Sequence, residues 1–251
     1  MIDAIILAGS PNDGPLQKCS EVQFEALIPI HGRIMVDYVV AALKDCPSVN
    51  NIIVVGPSRE LAGLADPPRV TLVPAGATAI DSMIAGMDGT VTEEVLIVTS
   101  DVPLLTSKAV EGFLTECTRW PADFYYPIVS KVINQSRFPN VQRTYVKLQE
   151  GTYTGGNLFL VNKSILDRGL AKAREVVDLR KSPWRLCRLL GVNFLIKFLL
   201  KKLTIHELEQ QVSSIFRIKA KAVVVPYPEI GIDVDKPSDL SLVKHVLREL
   251  S

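Results

Sequence analysis

The sequence lacks three features that would assign it to a broad class at once. Its 251 residues carry a net charge of only +1, so no surplus of one sign favours nucleic acid as a partner. It contains no run of about 18 uncharged apolar residues, which predicts that no helix spans a membrane. Its few cysteines lie far apart, without the spacing of a zinc or redox site: Cys19, Cys46, Cys117 and Cys187. Scattered thiols of this kind favour the cytoplasm, where they stay reduced.

The chain also lacks signs of division into parts. We find no internal repeat, low-complexity tract or linker, and no basic segment precedes the first strand-like run, so we expect no signal peptide. The length suits one large α/β domain or two small ones. We predict a single domain over 1–251, with a helical insertion at 176–220.

The most informative stretch is 94–106. Val95–Val98 is short and apolar, which is typical of a strand buried on both faces of a parallel sheet. The strand ends in Thr99-Ser100-Asp101, and Pro103 cannot extend it because proline has no N–H to donate. A carboxylate just past the end of a central strand lies where open α/β sheets bind ligands. The alternative is that Asp101 only caps the following helix.

Strands and helices alternate through the first half. The predicted strands are Ala4–Leu7, Asn51–Val55, Val70–Val73 and Val95–Val98, and the predicted helices are Gly32–Leu43, Ala77–Met87 and Ser107–Cys117. This alternation predicts a parallel sheet with helices on both faces. Right-handed crossovers bring the carboxyl ends of the strands to one side. The loops after Ala8, Val73 and Thr99 should therefore line a common cleft.

The second half predicts a mixed or antiparallel extension of this sheet. The predicted strands are Phe124–Val129, Thr144–Leu148, Asn157–Val161 and Ala222–Val225. Two helices are predicted from Pro183 to about Leu203 and from Thr204 to Ser214, and a closing helix is predicted to end at Leu250. The fold class is therefore α/β, a mostly parallel mixed sheet with helices on both faces and a helical insertion.

A loop of small residues, Ala8 to Pro15, follows the first predicted strand. Backbone N–H groups in such a loop can cradle the phosphates of a nucleotide, and Lys18 could add a positive charge. Ordinary turns between strand and helix favour the same residues, so the loop alone does not decide between the two interpretations.

Three aspartates, Asp101, Asp233 and Asp235, are candidate ligands of a divalent cation. Mg²⁺ binds hard oxygen ligands and usually takes one or two carboxylates, with phosphate oxygens and water in the remaining positions. The alternative for the last two is local, because Asp235-Lys236-Pro237 favours a turn and Ser238 can cap the last helix.

Five motifs occur in the order found in one enzyme family. They are Leu7-Ala8-Gly9, Leu27-Ile28-Pro29-Ile30 before Gly32-Arg33-Ile34-Met35, Ser100-Asp101-Val102-Pro103, Gly155-Gly156-Asn157, and the stretch from Asp233 to Leu240. In this the chain resembles the MobA-like nucleotidyltransferases, relatives of sugar-phosphate nucleotidyltransferases and of methylerythritol-phosphate cytidylyltransferase. The resemblance covers nearly the whole chain except roughly 176–220. It implies a Rossmann-like fold shared with GT-A glycosyltransferases, and transfer of NMP from an NTP to a phosphorylated or hydroxylated acceptor, with release of pyrophosphate.

The resemblance also implies roles for individual residues. Mg²⁺ (or Mn²⁺) would be held by Asp101 together with Asp233 or Asp235. The resemblance gives Asp101 and Asp235 as catalytic residues, and we predict Lys18 as a third because it follows the small-residue loop. The nucleotide would be bound by Leu7, Ala8, Gly9, Ser10, Gly14, Gly76 and Ser100. The acceptor would be bound by Gly155, Gly156 and Asn157.

Glu25 departs from the family pattern. The family usually has a lysine ahead of an Ala-Leu pair, and here Glu25 precedes Ala26-Leu27. A carboxylate cannot stabilise a triphosphate directly. Three explanations stay open: Lys18 or Arg33 supplies the missing charge, Glu25 points away from the site, or the activity is altered.

Three basic residues lie near the predicted strands of the second half: Lys131, Arg137 and Arg143. They could bind an acceptor phosphate. Basic side chains are more often solvated, and that is the outcome we predict for these three.

The segment 179–203 is not explained by the resemblance. It has seven basic residues and no acidic one: Arg180, Lys181, Arg185, Arg188, Lys197, Lys201 and Lys202. Its apolar residues are too many for one packing face of a helix. We predict that it is helical, and three roles stay open. It could pack on the domain or on a second copy in a homodimer, contact a membrane surface through 183–203, or help to bind an amphiphilic phosphorylated acceptor.

Three functions therefore compete. A nucleotidyltransferase that binds an NTP and a small phosphorylated or amphiphilic acceptor agrees best with the motifs. A GT-A glycosyltransferase usually carries Asp-x-Asp at the end of the central strand, where this chain has Asp101-Val102-Pro103. A nucleotide-binding regulatory protein without turnover is favoured by Glu25 and the unusual loop. We expect a cytoplasmic protein, at a membrane surface if 183–203 contacts lipid.

Overall fold

The computed structural model describes residues 1–139, 141–165 and 192–250. The strands are β1 Ile2–Leu7, β2 Pro29–Ile30, β3 Arg33–Ile34, β4 Val49–Gly56, β5 Val70–Pro74, β6 Glu94–Thr99, β7 Phe124–Ser130, β8 Val146–Leu148, β9 Gly151–Gly155, β10 Leu158–Asn162 and β11 Ala220–Val224. The α-helices are α1 Met35–Lys44, α2 Ala79–Asp88, α3 Ser107–Cys117, α4 Lys131–Arg137, α5 Val192–Leu199, α6 Ile205–Phe216 and α7 Pro237–Leu250. Short 3-10 turns lie at Pro15–Lys18, Glu25–Leu27, Ala62–Leu64 and Pro228–Gly231.

Nine of these strands form one mixed sheet in the order β5-β4-β1-β6-β10-β7-β9-β8, with β11 alongside β7. The first four run parallel, as strand–helix alternation predicts. β10 reverses direction and pairs antiparallel with β6, with Leu158 opposite Val98. The amino end of β10 therefore lies beside the carboxyl end of β6.

The central strands bury both of their faces, because successive side chains point to opposite sides of a strand. Ile5 and Ile97 join a core cluster with Met87 of α2. Ile6 and Leu96 join a larger cluster with α1 and α3 on the other face. This double burial explains why Ala4–Leu7 of β1 and Val95–Val98 of β6 are continuous apolar runs rather than alternating ones.

A third apolar cluster fixes the segment that precedes α7. Ile232 and Val234 are buried in it beside Leu16 and Leu240. It joins the 3-10 turn at Pro15–Lys18 to the last helix. The aspartates of the Asp233–Asp235 segment are thereby held at the edge of the sheet.

The structure confirms the predicted fold class and most of its elements. α4, β9 and the short β2–β3 hairpin were missed, and the helix predicted from Gly32 begins only at Met35 because Arg33–Ile34 pairs with β2. The glycines that bound β9, Gly151 and Gly155, indicate turns in the sequence, but here they belong to the strand ends. Of the helix predicted from Pro183, residues 183–191 lie outside the described residues, and 192–199 are helical.

Other predictions also concern residues outside the described ranges. Arg180, Lys181, Arg185 and Arg188 lie outside the described residues, as does the whole of 176–191 in the predicted insertion. No helix in the described ranges is long and apolar enough to cross a membrane.

Candidate active site

Three loops converge at the carboxyl edge of the central strands. The first carries Asp101 after β6, the second carries Asn157 before β10, and the third carries Asp233 and Asp235 after β11. The Val234 N–H donates to the Asp101 carbonyl at 2.9 Å, and the Thr99 N–H donates to the Asn157 carbonyl at 3.0 Å. β10 runs antiparallel to β6, so the loop that leads into β10 lies beside the carboxyl end of β6. The loop with Asn157 therefore meets the loop with Asp101.

Asp101 lies at the centre of this junction. Burial raises the pKa of its carboxyl group, and the nearby charge of Asp235 raises it further, while a hydrogen bond from the Thr99 hydroxyl and the charge of Arg143 lower it. Thr106 caps α3 by accepting from the Ala109 N–H at 3.1 Å. Capping of α3 therefore does not require Asp101, which leaves its carboxylate available for other contacts.

Asp233 forms an ion pair with Arg143. Both guanidinium Nη atoms of Arg143 donate to the carboxylate oxygens of Asp233, and the two side chains are only 14% and 13% exposed. The prediction that Arg143 is solvated is therefore wrong. The sequence indicated only that Arg143 is a basic residue close to predicted strands, and not that it pairs with Asp233.

Asp235 is exposed, and its carboxylate is near enough to Asp101 to raise the pKa of that group. The local alternative is partly present as well, because Asp239 accepts the backbone N–H groups of Asp235 and Lys236 at 3.3 and 3.2 Å. These bonds use the main chain of Asp235 and leave its side chain at the junction.

A cleft of about 380 Å³ opens on one side of the junction, and we call it the small-residue cleft. It is lined by Leu7, Gly9, Ser10, Pro11, Glu25, Gly76, Ala77, Thr78, Ala79, Ser82, Thr99, Ser100 and Asp101. The loops after β1, β5 and β6 meet here, where the alternation of strands and helices places them. Of the residues predicted for the nucleotide, Ala8 is buried behind this lining, and Gly14 does not line the cleft.

Close backbone approach shapes the small-residue cleft. A Cβ on Gly9 would lie 2.8 Å from the Ala75 Cβ, and one on Gly76 would lie 2.7 Å from the Asp81 carbonyl carbon. The Gly76 N–H donates to the Ser82 hydroxyl at 3.0 Å, and Thr78 caps α2. The amino-terminal end of α2, which carries partial positive charge, therefore borders the cleft.

The charged side chains in the lining of the small-residue cleft are both acidic. Burial raises the pKa of Glu25, and the charges of Asp101, Asp235 and Asp13 raise it further, while a hydrogen bond with Ser10 lowers it. Glu25 therefore does not point away. Lys18 is exposed at the end of its 3-10 turn and does not line the cleft.

Arg33 does not supply the missing charge to this cleft either. It is paired with Asp37 at 2.8 Å, and its guanidinium lies 4.5 Å from the centre of the Tyr38 ring. The explanation that Lys18 or Arg33 replaces the family lysine is thus not supported by their positions in this structure.

A second, larger cavity of about 670 Å³ includes Asp233 and Asp235 of the junction in its lining, and we call it the apolar groove. Its polar end is lined by Arg143, Gly155, Gly156, Asn157, Asp233, Asp235, Lys236 and Asp239. Its wall is mostly apolar and includes Tyr126, Ile128, Val146, Leu148, Phe194, Phe198, Leu203 and Leu208. The three residues predicted for the acceptor thus lie together, and none of them lines the small-residue cleft.

A cation could be held at the junction, although the described residues contain no ready-made group of three His, Cys, Asp or Glu side chains for one. Asp233 is engaged by Arg143, which leaves Asp101 and Asp235. Two carboxylates agree with the number that Mg²⁺ commonly takes from a protein. Burial is the main cause of the raised pKa of Asp101, and the charge of Asp235, which raises it further, is one that a cation would offset.

A family model places the chain. The model of the MobA-like NTP transferase domain matches residues 4–178. The chain belongs to the MobA-like NTP transferase family. No curated protein matches it. A structure described as a hypothetical transferase from Thermus thermophilus is 37% identical, with a TM-score of 0.85, over 95% of this chain and 99% of that one.

More distant structures share the fold of this MobA-like NTP transferase. The CMP:2-keto-3-deoxy-manno-octonic acid synthetase complexed with CTP is 11% identical, with a TM-score of 0.61 over the full length of both chains. The 2-C-methyl-D-erythritol 4-phosphate cytidylyltransferase from Thermus thermophilus is 15% identical, with a TM-score of 0.56, over 99% of this chain and 100% of that one. At such identities the likeness shows the fold alone.

Proposed function

We propose that this MobA-like NTP transferase moves an NMP group from an NTP to a phosphorylated acceptor and releases pyrophosphate. The observation that carries the proposal is that two cavities meet at one sheet edge. Asp101 lines the small-residue cleft, and its carbonyl accepts from the Val234 N–H, whose neighbours Asp233 and Asp235 line the apolar groove. A two-substrate transfer requires two such sites that meet at the reacting atoms.

The small-residue cleft is proposed as the NTP site. Its glycines allow the backbone to approach the phosphates closely, and the start of α2 favours negative charge. Gly9, Ser10 and Gly76 would contact the nucleotide, with Leu7 and Ser100 at the base of the cleft. Ala8, Gly14 and Lys18 keep their predicted roles as a proposal, although they lie outside the lining.

Asp101 and Asp235 are proposed to hold Mg²⁺ (or Mn²⁺) at the junction, with Asp233 as a further ligand if Arg143 releases it. The ion would neutralise charge on the phosphates. Asp101 is held in place by its Thr99 hydrogen bond and by the Val234 N–H on its carbonyl. The chain itself would orient the two substrates: Asn157 and its glycines on the acceptor side, and the small-residue loops on the nucleotide side.

Pyrophosphate release from each of the four NTPs, with Mg²⁺ and with a chelator, tests this proposal. CTP is the first to try, since two structural neighbours are a complex with CTP and a cytidylyltransferase. We expect Asp101→Asn to lower the rate by about 10²-fold or more, in line with the loss of a major electrostatic contributor. The control is Asp88→Asn, an exposed residue at the far end of α2. Tight NTP binding without pyrophosphate release, whatever the acceptor supplied, would refute the transfer.

One observation favours a second candidate, a nucleotide-binding protein without turnover. Glu25 and Asp101 line a cleft that has no basic side chain among its described residues. If the two carboxylates repel the triphosphate too strongly, binding would be restricted to less charged nucleotides. A preference for nucleosides or NMP over NTP in calorimetry would support this candidate over the transferase.

The exposed face of α5 is proposed as a contact surface, and the cytoplasm as the compartment. Ile196, Leu199 and Leu200 are exposed apolar residues on or next to this helix. A surface of this kind commonly marks an interface, here with a second copy of the chain or with a membrane. The free thiols of Cys19, Cys46 and Cys117 agree with a reducing compartment.

A further inference from the structure

A small hydrophilic acceptor would not need the apolar wall that the apolar groove has. The wall is built from residues of separate elements: Ile128 of β7, Val146 and Leu148 of β8, Phe194 and Phe198 of α5, and Leu208 of α6. About 670 Å³ is within the range of pockets that bind small molecules, which are mostly apolar with a few placed polar groups. As far as the described residues show, a hydrophilic ligand would leave this wall in contact with water.

The polar end of the same groove holds hydrogen-bond donors without acceptors. The Asn157 Nδ2 and the Arg143 Nε are buried, and among the described residues neither has a partner. Buried donors are normally paired, and leaving one unpaired costs about 1–3 kcal/mol. Lys236 lines this end as well. The unmet need is for oxygen atoms that accept hydrogen bonds.

The acidic residues at this end do not oppose an oxyanion as strongly as their number indicates. Asp233 is neutralised by Arg143, and Asp239 accepts the backbone N–H groups at the start of α7. Asp235 is the carboxylate that the proposed Mg²⁺ would offset. An oxyanion is therefore compatible with this end when the cation is bound.

We infer that the acceptor is an amphiphile, a phosphate ester with a hydrophobic body, whose phosphate lies at Asn157 and Arg143 and whose body lies along the apolar groove. That this ligand is the acceptor rests on the proposed function. Its chemical class rests on the groove alone. The apolar wall also leads outward, because Phe198 is 41% exposed and neighbours the exposed Leu199.

Calorimetry with alkyl phosphates tests the chemical class without any catalysis. Methyl, butyl and octyl phosphate are titrated into the full chain with Mg²⁺, below the concentrations at which the longest forms micelles. Each buried methylene should tighten binding by about two- to fourfold, so octyl phosphate should bind at least about a hundredfold more tightly than methyl phosphate. Equal affinity for methyl and octyl phosphate, or no binding of either, would overturn the inference.

A pair of variants on adjacent positions of α5 locates the binding site. Phe198→Ser removes a groove residue and should lower the octyl-to-methyl affinity ratio by about tenfold. Leu199→Ser is the matched control, since Leu199 is 74% exposed and does not line the groove, and it should leave the ratio unchanged. Leu208→Ser, on α6, repeats the test on another wall if the first variant does not fold. Equal losses for Phe198→Ser and Leu199→Ser would place the alkyl chain elsewhere and overturn the inference.

Transfer assays separate the inference from the proposed function. Pyrophosphate release that is faster with octyl phosphate than with methyl phosphate supports both. Equal release with the two acceptors retains the transferase and overturns the amphiphilic acceptor. Chain-length-dependent binding without release from any NTP refutes the transferase, and it retains the groove as a site for a hydrophobic phosphate ester.

Discussion

In the small-residue cleft, Glu25 and Asp101 place two carboxylates where the family resemblance leads us to expect the phosphates of an NTP. The pKa values of both are raised, in each case first by burial and then by neighbouring acidic groups. Negative charge in this cleft is therefore costly in the free protein. Glu25 stands where the family usually has a lysine, and its negative charge adds to the charge that a bound cation must offset.

Replacing Glu25 with glutamine should tighten NTP binding. Glutamine keeps an oxygen for the contact with Ser10 and removes the repulsion of a like charge, which at short range near a surface amounts to roughly 1–2 kcal/mol. We expect about a tenfold lower Kd for the NTP–Mg²⁺ complex, measured by calorimetry. Glu21→Gln is the control, because Glu21 is exposed and does not line the cleft. Weaker binding by Glu25→Gln would mean that Glu25 assists the site, for example as a metal ligand.

Asp101→Asn should make the metal-free protein more stable at neutral pH. The raised pKa means that the folded state holds this proton at a pH where the unfolded chain, with a pKa near 3.8, has lost it. Stability therefore falls as pH rises from about 4 through the raised pKa. Asparagine cannot ionise, and its oxygen can still accept from Thr99.

We expect the midpoint of thermal unfolding of Asp101→Asn to exceed that of the wild type by about 2–4 °C at pH 7, the shift for roughly 1 kcal/mol in a chain of this size. The difference should shrink toward pH 4.5. Added Mg²⁺ should stabilise the wild type and not the variant. A variant that is less stable than wild type at every pH would show that the carboxylate is a net stabilising group.

α2 connects the packing of the sheet to the small-residue cleft. Gly76 approaches the main chain of Asp81 so closely that the first turn of the helix could not keep its place beside a larger residue. Met87, near the other end of the same helix, is buried against the central strands. The position of the helix start at the cleft thus depends on both ends of α2.

Gly76→Ala should therefore lower both stability and nucleotide affinity. The added Cβ would lie within 3 Å of backbone atoms, which cannot move as a flexible side chain can, and such overpacking costs about 1–3 kcal/mol. Denaturant unfolding and NTP titration measure the two effects. Gly63→Ala is the matched control, since a Cβ added there would meet no other atom within 4 Å and no loss is expected. Unchanged unfolding of Gly76→Ala would show that α2 shifts easily.

The elements were predictable where one local rule decided them. Ala4–Leu7 and Val95–Val98 are continuous apolar runs, and α3 begins directly after a capping threonine, so apolar composition and the cap were sufficient. β9 was missed because Gly151 and Gly155 bound a three-residue core that is too short to show alternation. α4 was missed because Lys131–Arg137 contains few apolar residues with helical spacing.

For the site, the sequence indicated which loops meet at the edge of the sheet, but not which side chains pair with each other. The position of Asp101 follows from strand order, since the carboxyl ends of parallel strands share one edge. The contact between Arg143 and Asp233 joins residues 90 positions apart, and no periodicity encodes such a pair. Whether Glu25 faced the cleft could not be decided either, because the direction of a side chain on a 3-10 turn depends on the packing around it.

The contact surface on α5 leads to a prediction for the assembled protein. Ile196, Leu199 and Leu200 expose apolar surface next to Lys201 and Lys202, and burying such a face in a homodimer removes it from water. We expect light scattering to show a dimer for the wild type and a monomer for Leu199→Ser/Leu200→Ser. Val132→Ser is the control, because Val132 is a single exposed apolar residue on α4.

Vesicle flotation distinguishes the dimer from a membrane contact through the same face. A monomeric wild type that floats with anionic vesicles, but not with neutral ones, would replace the dimer by a lipid surface, because the lysines would then bind lipid headgroups. A monomeric wild type that ignores both kinds of vesicle would contradict either use of this face. In every case Leu199→Ser/Leu200→Ser should still bind monomeric octyl phosphate as the wild type does, since neither residue lines the apolar groove.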